Sequence, residues 1–152
     1  MVYLRGKNRY NNVKIVIDDI VFDSKTEGNY YSFLKMRMGR GEISELYPQC
    51  PLLLDKNDER LGMYFCDFAY RNFKGELVYD EIKSPPTFEE GVFRLKMKIL
   101  ALKGIDINIY ISNGKHLNSK SSSMRILEGK KRESIVYSEY NSFLAMRDIS
   151  FF

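Results

Sequence analysis

With one histidine and two cysteines in 152 residues, the sequence lacks the side chains that several common chemistries need. His116 stands alone, which excludes a His-rich metal site and argues against a His-based hydrolytic triad. Cys50 and Cys66 do not have the spacing of a metal-binding cysteine pair. No apolar run approaches the roughly 18 residues of a membrane-crossing helix. The first ten residues are basic but carry neither the apolar stretch nor the small-residue site of a signal peptide. The expectation is a cytoplasmic protein with no membrane partner. Any hydrolytic chemistry must lean on carboxylates, lysine and an oxygen-bound metal.

What is present is an ordinary globular composition, 44% hydrophobic and 29% charged. The length suits one domain, able to bury about two-thirds of its unfolded surface. The formal net charge is +4. Arg5, Lys7, Arg9 and Lys14 open the chain without an intervening acid, and Arg94, Lys96, Lys98 and Lys103 form a second such run. A third basic group lies between Lys115 and Arg132. These segments flank an acid-rich middle, a distribution that hints at a polyanionic partner.

The pattern predicts a short hairpin over residues 13–22 around Asp18-Asp19, then a helix from a Ser24/Glu27 capping box to about Met38, stopped by Gly39 and Gly41. Tyr30/Tyr31, Leu34 and Met38 form its apolar stripe, with Glu27 on the same stripe. Residues 43–46 read as a connector, 52–54 as a short strand and 55–60 as a charged loop. Residues 63–71 and 76–83 read as strands joined by Asn72-Phe73-Lys74-Gly75. A second capping box, Thr87/Glu90, opens a helix to about Lys103. Ile105, Ile107, Ile109 and Ile111 alternate with polar residues, the clearest strand signal, and the preceding helix implies parallel pairing. The serine-rich stretch 113–123 reads as a loop, and 124–146 as a helix or strand pair on the core. The fold class is therefore α/β, a mixed central sheet flanked by helices in the order αβββαβ.

In the hairpin centred on Lys74, residues whose numbers sum to 148 face each other. Asp67 and Glu81 are such a pair, with Cβ atoms expected about 5 Å apart on one face. Lys83, two residues after Glu81, shares that face. Like charges placed opposite destabilise a sheet, so something must compensate, and a divalent cation is the direct candidate. The alternative is a solvent-facing Asp–Lys–Glu cluster held by ordinary ion pairing. Asp67 lies in the otherwise apolar Met63-Tyr64-Phe65-Cys66-Asp67-Phe68 stretch, where an unpaired carboxylate would cost several kcal/mol. Glu27 points toward the same sheet.

An acid on a first helix, Asp on a strand, and Glu-x-Lys on the next strand resemble the PD-(D/E)XK nuclease superfamily. More narrowly, the chain resembles small phage Holliday-junction-resolvase-like nucleases. The segments that carry this are Phe22-Asp23-Ser24-Lys25-Thr26-Glu27, Ile43-Ser44-Glu45-Leu46-Tyr47-Pro48-Gln49, Tyr64-Phe65-Cys66-Asp67-Phe68, Asp80-Glu81-Ile82-Lys83 and Arg94-Leu95-Lys96. Cys66 stands where the superfamily has its proline, Ser84 where the phage proteins usually have glycine, and Asp18-Asp19 in place of their Asp-Gly turn.

The resemblance implies a restriction-endonuclease-like core over residues 1–112 and a metal-dependent endonuclease of branched DNA. It implies Mg²⁺ or Mn²⁺ held by Asp67, Glu81 and the Ile82 carbonyl. Lys83 would position the attacking water, and Glu27 would orient the site or take a second metal. Arg94, Lys96 and Lys98 would meet the phosphate backbone. Gln49 either supports the site or is an ordinary strand residue. A simple duplex or nicking nuclease, or a non-enzymatic nucleic-acid-binding protein, are the alternatives. Residues 113–152 form an extension whose many apolar groups either cover the sheet of their own subunit or contribute to a homodimer.

Overall fold

The computed structural model describes residues 2–7, 13–55 and 62–149. Strands β1 (Val2–Lys7), β2 (Val13–Ile17) and β3 (Ile20–Phe22) form a small antiparallel sheet. Asp18 and Asp19 make the β2–β3 turn with φ of 52° and 64°. Both lie in the left-handed region that a two-residue hairpin of this hand requires. Asp18 is held there by Tyr31 Oη, which donates to it over 2.8 Å, and by Lys35.

Helix α1 (Lys25–Gly39) follows, capped by Ser24 Oγ, which accepts the Glu27 N–H at 3.1 Å. Gly28 lies so close to β2 that a Cβ there would stand 2.8 Å from Ile15 Cγ2. Tyr30, Tyr31 and Leu34 are buried as the periodicity predicts. Phe33 is buried with them, while Met38, assigned to the stripe, is exposed. At the helix end Gly41 takes a φ of 76°.

The main sheet has six strands in the order β4 (Ile43–Leu53), β5 (Met63–Asn72), β6 (Leu77–Lys83), β7 (Ile107–Ser112), β8 (Leu117–Ser122) and β9 (Glu133–Ser134). Only β6 and β7 pair in parallel. They are joined through the short helix α2 (Pro85–Phe88) and α3 (Gly91–Leu102). Helices α4 (Ser123–Leu127) and α5 (Ser138–Ile149) complete the chain. The protein is thus α/β, a mixed sheet flanked by helices, with α1, β4, β5, β6, α3 and β7 following the expected order.

Several local expectations need correction. The connector at 43–46 and the short strand at 52–54 are one strand, β4, bulged between Ser44 and Tyr47 where Glu45 has a φ of 53°. The expected loop at 113–123 contains β8, whose serines pair with β7 and are largely buried. Serine disfavours neither face of a strand strongly enough to prevent this once a neighbour supplies the ladder. The Thr87/Glu90 box does not form. Thr87 instead closes a box with Ser84 on α2, its Oγ1 accepting the Ser84 N–H at 3.1 Å, and α3 starts after Glu90. The charged loop at 55–60 lies, after Asp55, outside the described residues.

One core packs α1, α5 and the inner residues of β2 and β3 onto one face of the main sheet; a second packs α3 and α4 onto the other. Tyr140 and Leu144 of α5 are buried in the first core, so the extension covers its own sheet. Among the described residues, no helix is long and apolar enough to cross a membrane.

The Tyr140 ring sits 5.5 Å from Tyr30 and 5.6 Å from Phe33. Tyr140→Ala should cost about 3–5 kcal/mol in urea unfolding. The Tyr140 hydroxyl is buried without a partner among the described residues. Tyr140→Phe should therefore leave stability unchanged or raise it by up to about 1 kcal/mol.

Candidate active site

The β5–β6 ladder has the expected register: Arg71 opposes Leu77, Tyr70 opposes Val78, Ala69 opposes Tyr79 and Phe68 opposes Asp80. It stops there. Asp67 and Glu81 would be the next rung, but the strands part and the two carboxylates bridge the gap. Glu81 Oε2 accepts the Asp67 N–H at 3.1 Å, and Asp67 Oδ2 accepts the Ile82 N–H at 2.8 Å. The expected opposition of side chains is thus replaced by two side chain–backbone bonds at an open fork.

The fork coincides with a change of face. Tyr64 and Cys66 belong to the α3-side core, whereas Phe68 and Tyr70 belong to the α1-side core. All four are even-numbered, so regular alternation would put them on one face. The strand must turn over at Asp67. On β4 the rung that would face Asp67 is also missing, between Pro48–Phe68 and Cys50–Cys66, and Gln49 there has a φ of 54°. The Gln49 side chain donates to the Val21 carbonyl at 2.7 Å, tying the two sheets together.

On β6 alternation is regular. Glu81 is 1% exposed. Lys83 Nζ lies 3.4 Å from Glu81 Oε1 and 4.8 Å from the Phe93 ring centre. Glu27 enters from the first turn of α1, where the helix dipole favours an acid.

Three carboxylates and one ammonium share this corner. Burial, then the charges of Glu27 and Glu81, push the Asp67 carboxyl well above its ordinary range, against the pull of Lys83 and the Ile82 N–H. Burial, then Glu81, push Glu27 from 4.5 up to about 7. Lys83 is pulled the other way by burial, but the three carboxylates outweigh it and hold the ammonium above its ordinary value. The Tyr64 hydroxyl is buried beside this cluster, and desolvation followed by the charges of Glu81 and Asp67 raises it strongly.

Glu27, Ile82 and Lys83 open onto a cleft of about 240 Å³ whose other walls are rich in hydroxyls: Ser24, Thr26, Ser84, Thr87 and Ser112. Asp67 and Glu81 do not line this cleft. A groove of about 620 Å³ between α1 and α5 is larger, but holds Arg37, Arg40, Glu42 and Glu139 among apolar walls, with no comparable buried acid cluster. On α3, Arg94 lies over the Phe88 ring at 5.1 Å and Lys98 is exposed. Lys96 is half-buried, and none of the three lines the cleft.

The structure therefore brings together Glu27, Asp67, Glu81 and Lys83, and leaves Arg94, Lys96 and Lys98 on a separate helix. Sequence reasoning missed Tyr64, Phe93 and the cleft hydroxyls. Tyr64 was hidden because strict alternation puts residues 64 and 67 on opposite faces. The hydroxyls come from three separate segments and leave no linear signal.

The donor set is all oxygen. Each carboxylate commits one oxygen to main chain, leaving Asp67 Oδ1 and Glu81 Oε1 free of backbone bonds. Among the described residues no three His, Cys, Asp or Glu side chains form a ready-made metal cage. Two carboxylates suit Mg²⁺ or Mn²⁺, which keep water and take substrate oxygens, and their excess negative charge is what such an ion would neutralise.

The chain belongs to the family described as "Protein of unknown function (DUF1064)", which matches residues 7–121. No curated protein and no solved structure matches it.

A carboxyl raised on folding holds its proton more tightly in the native state. Its contribution to stability is full below 4.5, and for Glu27 it is lost as pH rises through about 7. In metal-free buffer with EDTA, stability should fall between about pH 5 and pH 8. Glu27→Gln should flatten that fall. Urea unfolding of both proteins across this range is the check, and identical slopes would remove Glu27 from the cluster.

Proposed function

We propose that this member of the DUF1064 family is a metal-dependent DNA endonuclease that hydrolyses phosphodiester bonds, with branched DNA as its substrate. The observation that carries the reading is the fork. Two acids from adjacent strands are buried behind a cleft onto which their lysine partner opens, held by a structure that forgoes main-chain pairing to place them. A structural ion pair has no need of a third acid, Glu27, close enough for its charge to act on the other two. The preference for branched DNA comes from the resemblance of the helix, connector and strand segments to phage resolvase-like nucleases.

The residues divide the work as follows. Asp67 and Glu81 supply the oxygen ligands, with the Ile82 carbonyl beside them. Bound Mg²⁺ or Mn²⁺ would supply Lewis-acid stabilisation of a phosphoryl oxygen and a more acidic water. Lys83 is held as an ammonium, so it donates: it orients the attacking water or offsets charge on a phosphate oxygen at the cleft mouth. Glu27 sets the far wall and limits how the water can sit. The cleft hydroxyls are neutral donors that can bind phosphate and sugar oxygens without adding charge. The basic face of α3 with the half-buried Arg94 and the exposed Lys98 meets the backbone further along the duplex.

The test is incubation with four-way junction, flap and linear duplex DNA, with and without Mg²⁺. Cleavage should require Mg²⁺ or Mn²⁺, disappear in EDTA and favour the junction. Asp67→Ala, Glu81→Ala and Lys83→Ala should each lower turnover by about 10²-fold or more while leaving DNA binding in place. Normal cutting by all three variants would remove the fork from the chemistry.

Arg94→Glu with Lys98→Glu should weaken binding. If both residues contact phosphate, the dependence of log K on log salt should become shallower by about two. An unchanged slope would move the DNA surface off α3.

A further inference from the structure

Asp80 is 0% exposed, and nothing in the proposed chemistry uses it. Its Oδ2 accepts hydrogen bonds from Tyr30 Oη at 2.6 Å and Tyr70 Oη at 2.7 Å, and its Oδ1 accepts one from Asn108 Nδ2 at 3.0 Å. The origin of those donors is informative. Tyr30 lies on α1 one turn after Glu27. Tyr70 lies on β5 three residues after Asp67. Asp80 itself immediately precedes Glu81 on β6, and Asn108 is its ladder partner on β7. The two other elements that carry a site carboxylate, α1 and β5, therefore each donate one hydrogen bond to this single buried carboxylate on β6.

We infer that Asp80 is a positioning residue. From the α1 face of the sheet, opposite Glu81, it fixes α1, β5 and β6 relative to one another, and with them Glu27, Asp67 and Glu81. The need for such a device follows from the fork. Past Phe68 and Asp80 no main-chain rung joins β5 to β6. Strand spacing at the site is then set by the carboxylates' own bonds, by the Cys66 thiol, which donates to the Asp80 carbonyl at 3.5 Å, and by whatever clamps the last rung, and Asp80 sits on that rung. An apolar side chain would fill the same space without requiring three donors, but it could not tie a helix and two neighbouring strands to one point. For its effect on turnover the inference rests on the nuclease reading; for its effect on geometry it does not.

The experiment compares wild type with Asp80→Ala, Asp80→Asn, Tyr30→Phe and Tyr70→Phe. Asp80→Asn keeps an oxygen for both tyrosines, and the Asn108 amide can rotate to accept from the new amide. The first readout is native-state hydrogen exchange at the Asp67 and Ile82 amides, which donate the two fork bonds, referenced to amides of α3. The second is kcat and KM for Mg²⁺-dependent DNA cleavage. Asp80→Ala should speed exchange at both fork amides about tenfold relative to α3 and lower kcat about tenfold or more, with KM within about twofold. Asp80→Asn should stay within about threefold of wild type in both. The tyrosine variants should shift the same way by less, and they decide the matter if Asp80→Ala does not fold. Equal acceleration at the fork and in α3, or an Asp80→Asn protein as impaired as Asp80→Ala, would overturn the inference. If wild type cleaves no DNA, the nuclease reading fails, and the exchange data alone decide the role of Asp80.

Discussion

The parting of β5 and β6 after the Phe68–Asp80 rung is the constraint on which the site depends. A sheet that continued its ladder would have paired Asp67 and Glu81 through their backbones and left two like charges side by side above it. Instead each side chain accepts the backbone N–H that has lost its ladder partner. That arrangement removes the cost of two unpaired N–H groups and confines both carboxylates to a small volume. Charge is then the remaining problem. Lys83 answers part of it, and the rest appears as the upward displacement of Asp67 and Glu27.

The rest of the fold can be read as support for that opening. Strand β5 changes face at Asp67, so its first half packs on α3 and its second on α1. Gln49 on the neighbouring strand takes a left-handed backbone at the same level, which lets β4 follow the change. Helix α1 is drawn close through Gly28 and bonded through Tyr30, and this puts its first turn, with Glu27, over the fork. On the far side α5 seals the aromatic core around Tyr30 and Phe33. Two faces of one sheet thus serve different ends. The α1 side holds the elements together through buried hydroxyls and a carboxylate, and the α3 side presents Glu81 and Lys83.

The family match stops at residue 121, within β8. The sheet does not stop there. Strand β9 and helix α5 follow, and Tyr140 and Leu144 are buried in the same core as α1. In this chain the extension is part of the hydrophobic interior.

Much of the structure was legible in the residues alone. The hairpin register came from one turn, because Asn72 and Gly75 fix where the chain reverses and side chains repeat every two residues. Helix α1 followed from Ser24 at one end and the glycines at the other, and the parallel strand β7 from four alternating isoleucines. These signals are local, and local sterics and hydrogen bonding enforce them. The candidate acids were also legible, since an Asp in an apolar strand needs a reason. Tertiary structure decided the rest. That β8 is a strand depends on an edge offered by β7, not on its serines. That Tyr64 joins the site depends on a face change at Asp67 that alternation cannot foresee. That Asp80, one residue from Glu81, becomes the meeting point of α1, β5 and β7 depends on three donors separated by up to 78 positions in the chain, brought together only when both faces of the sheet are packed.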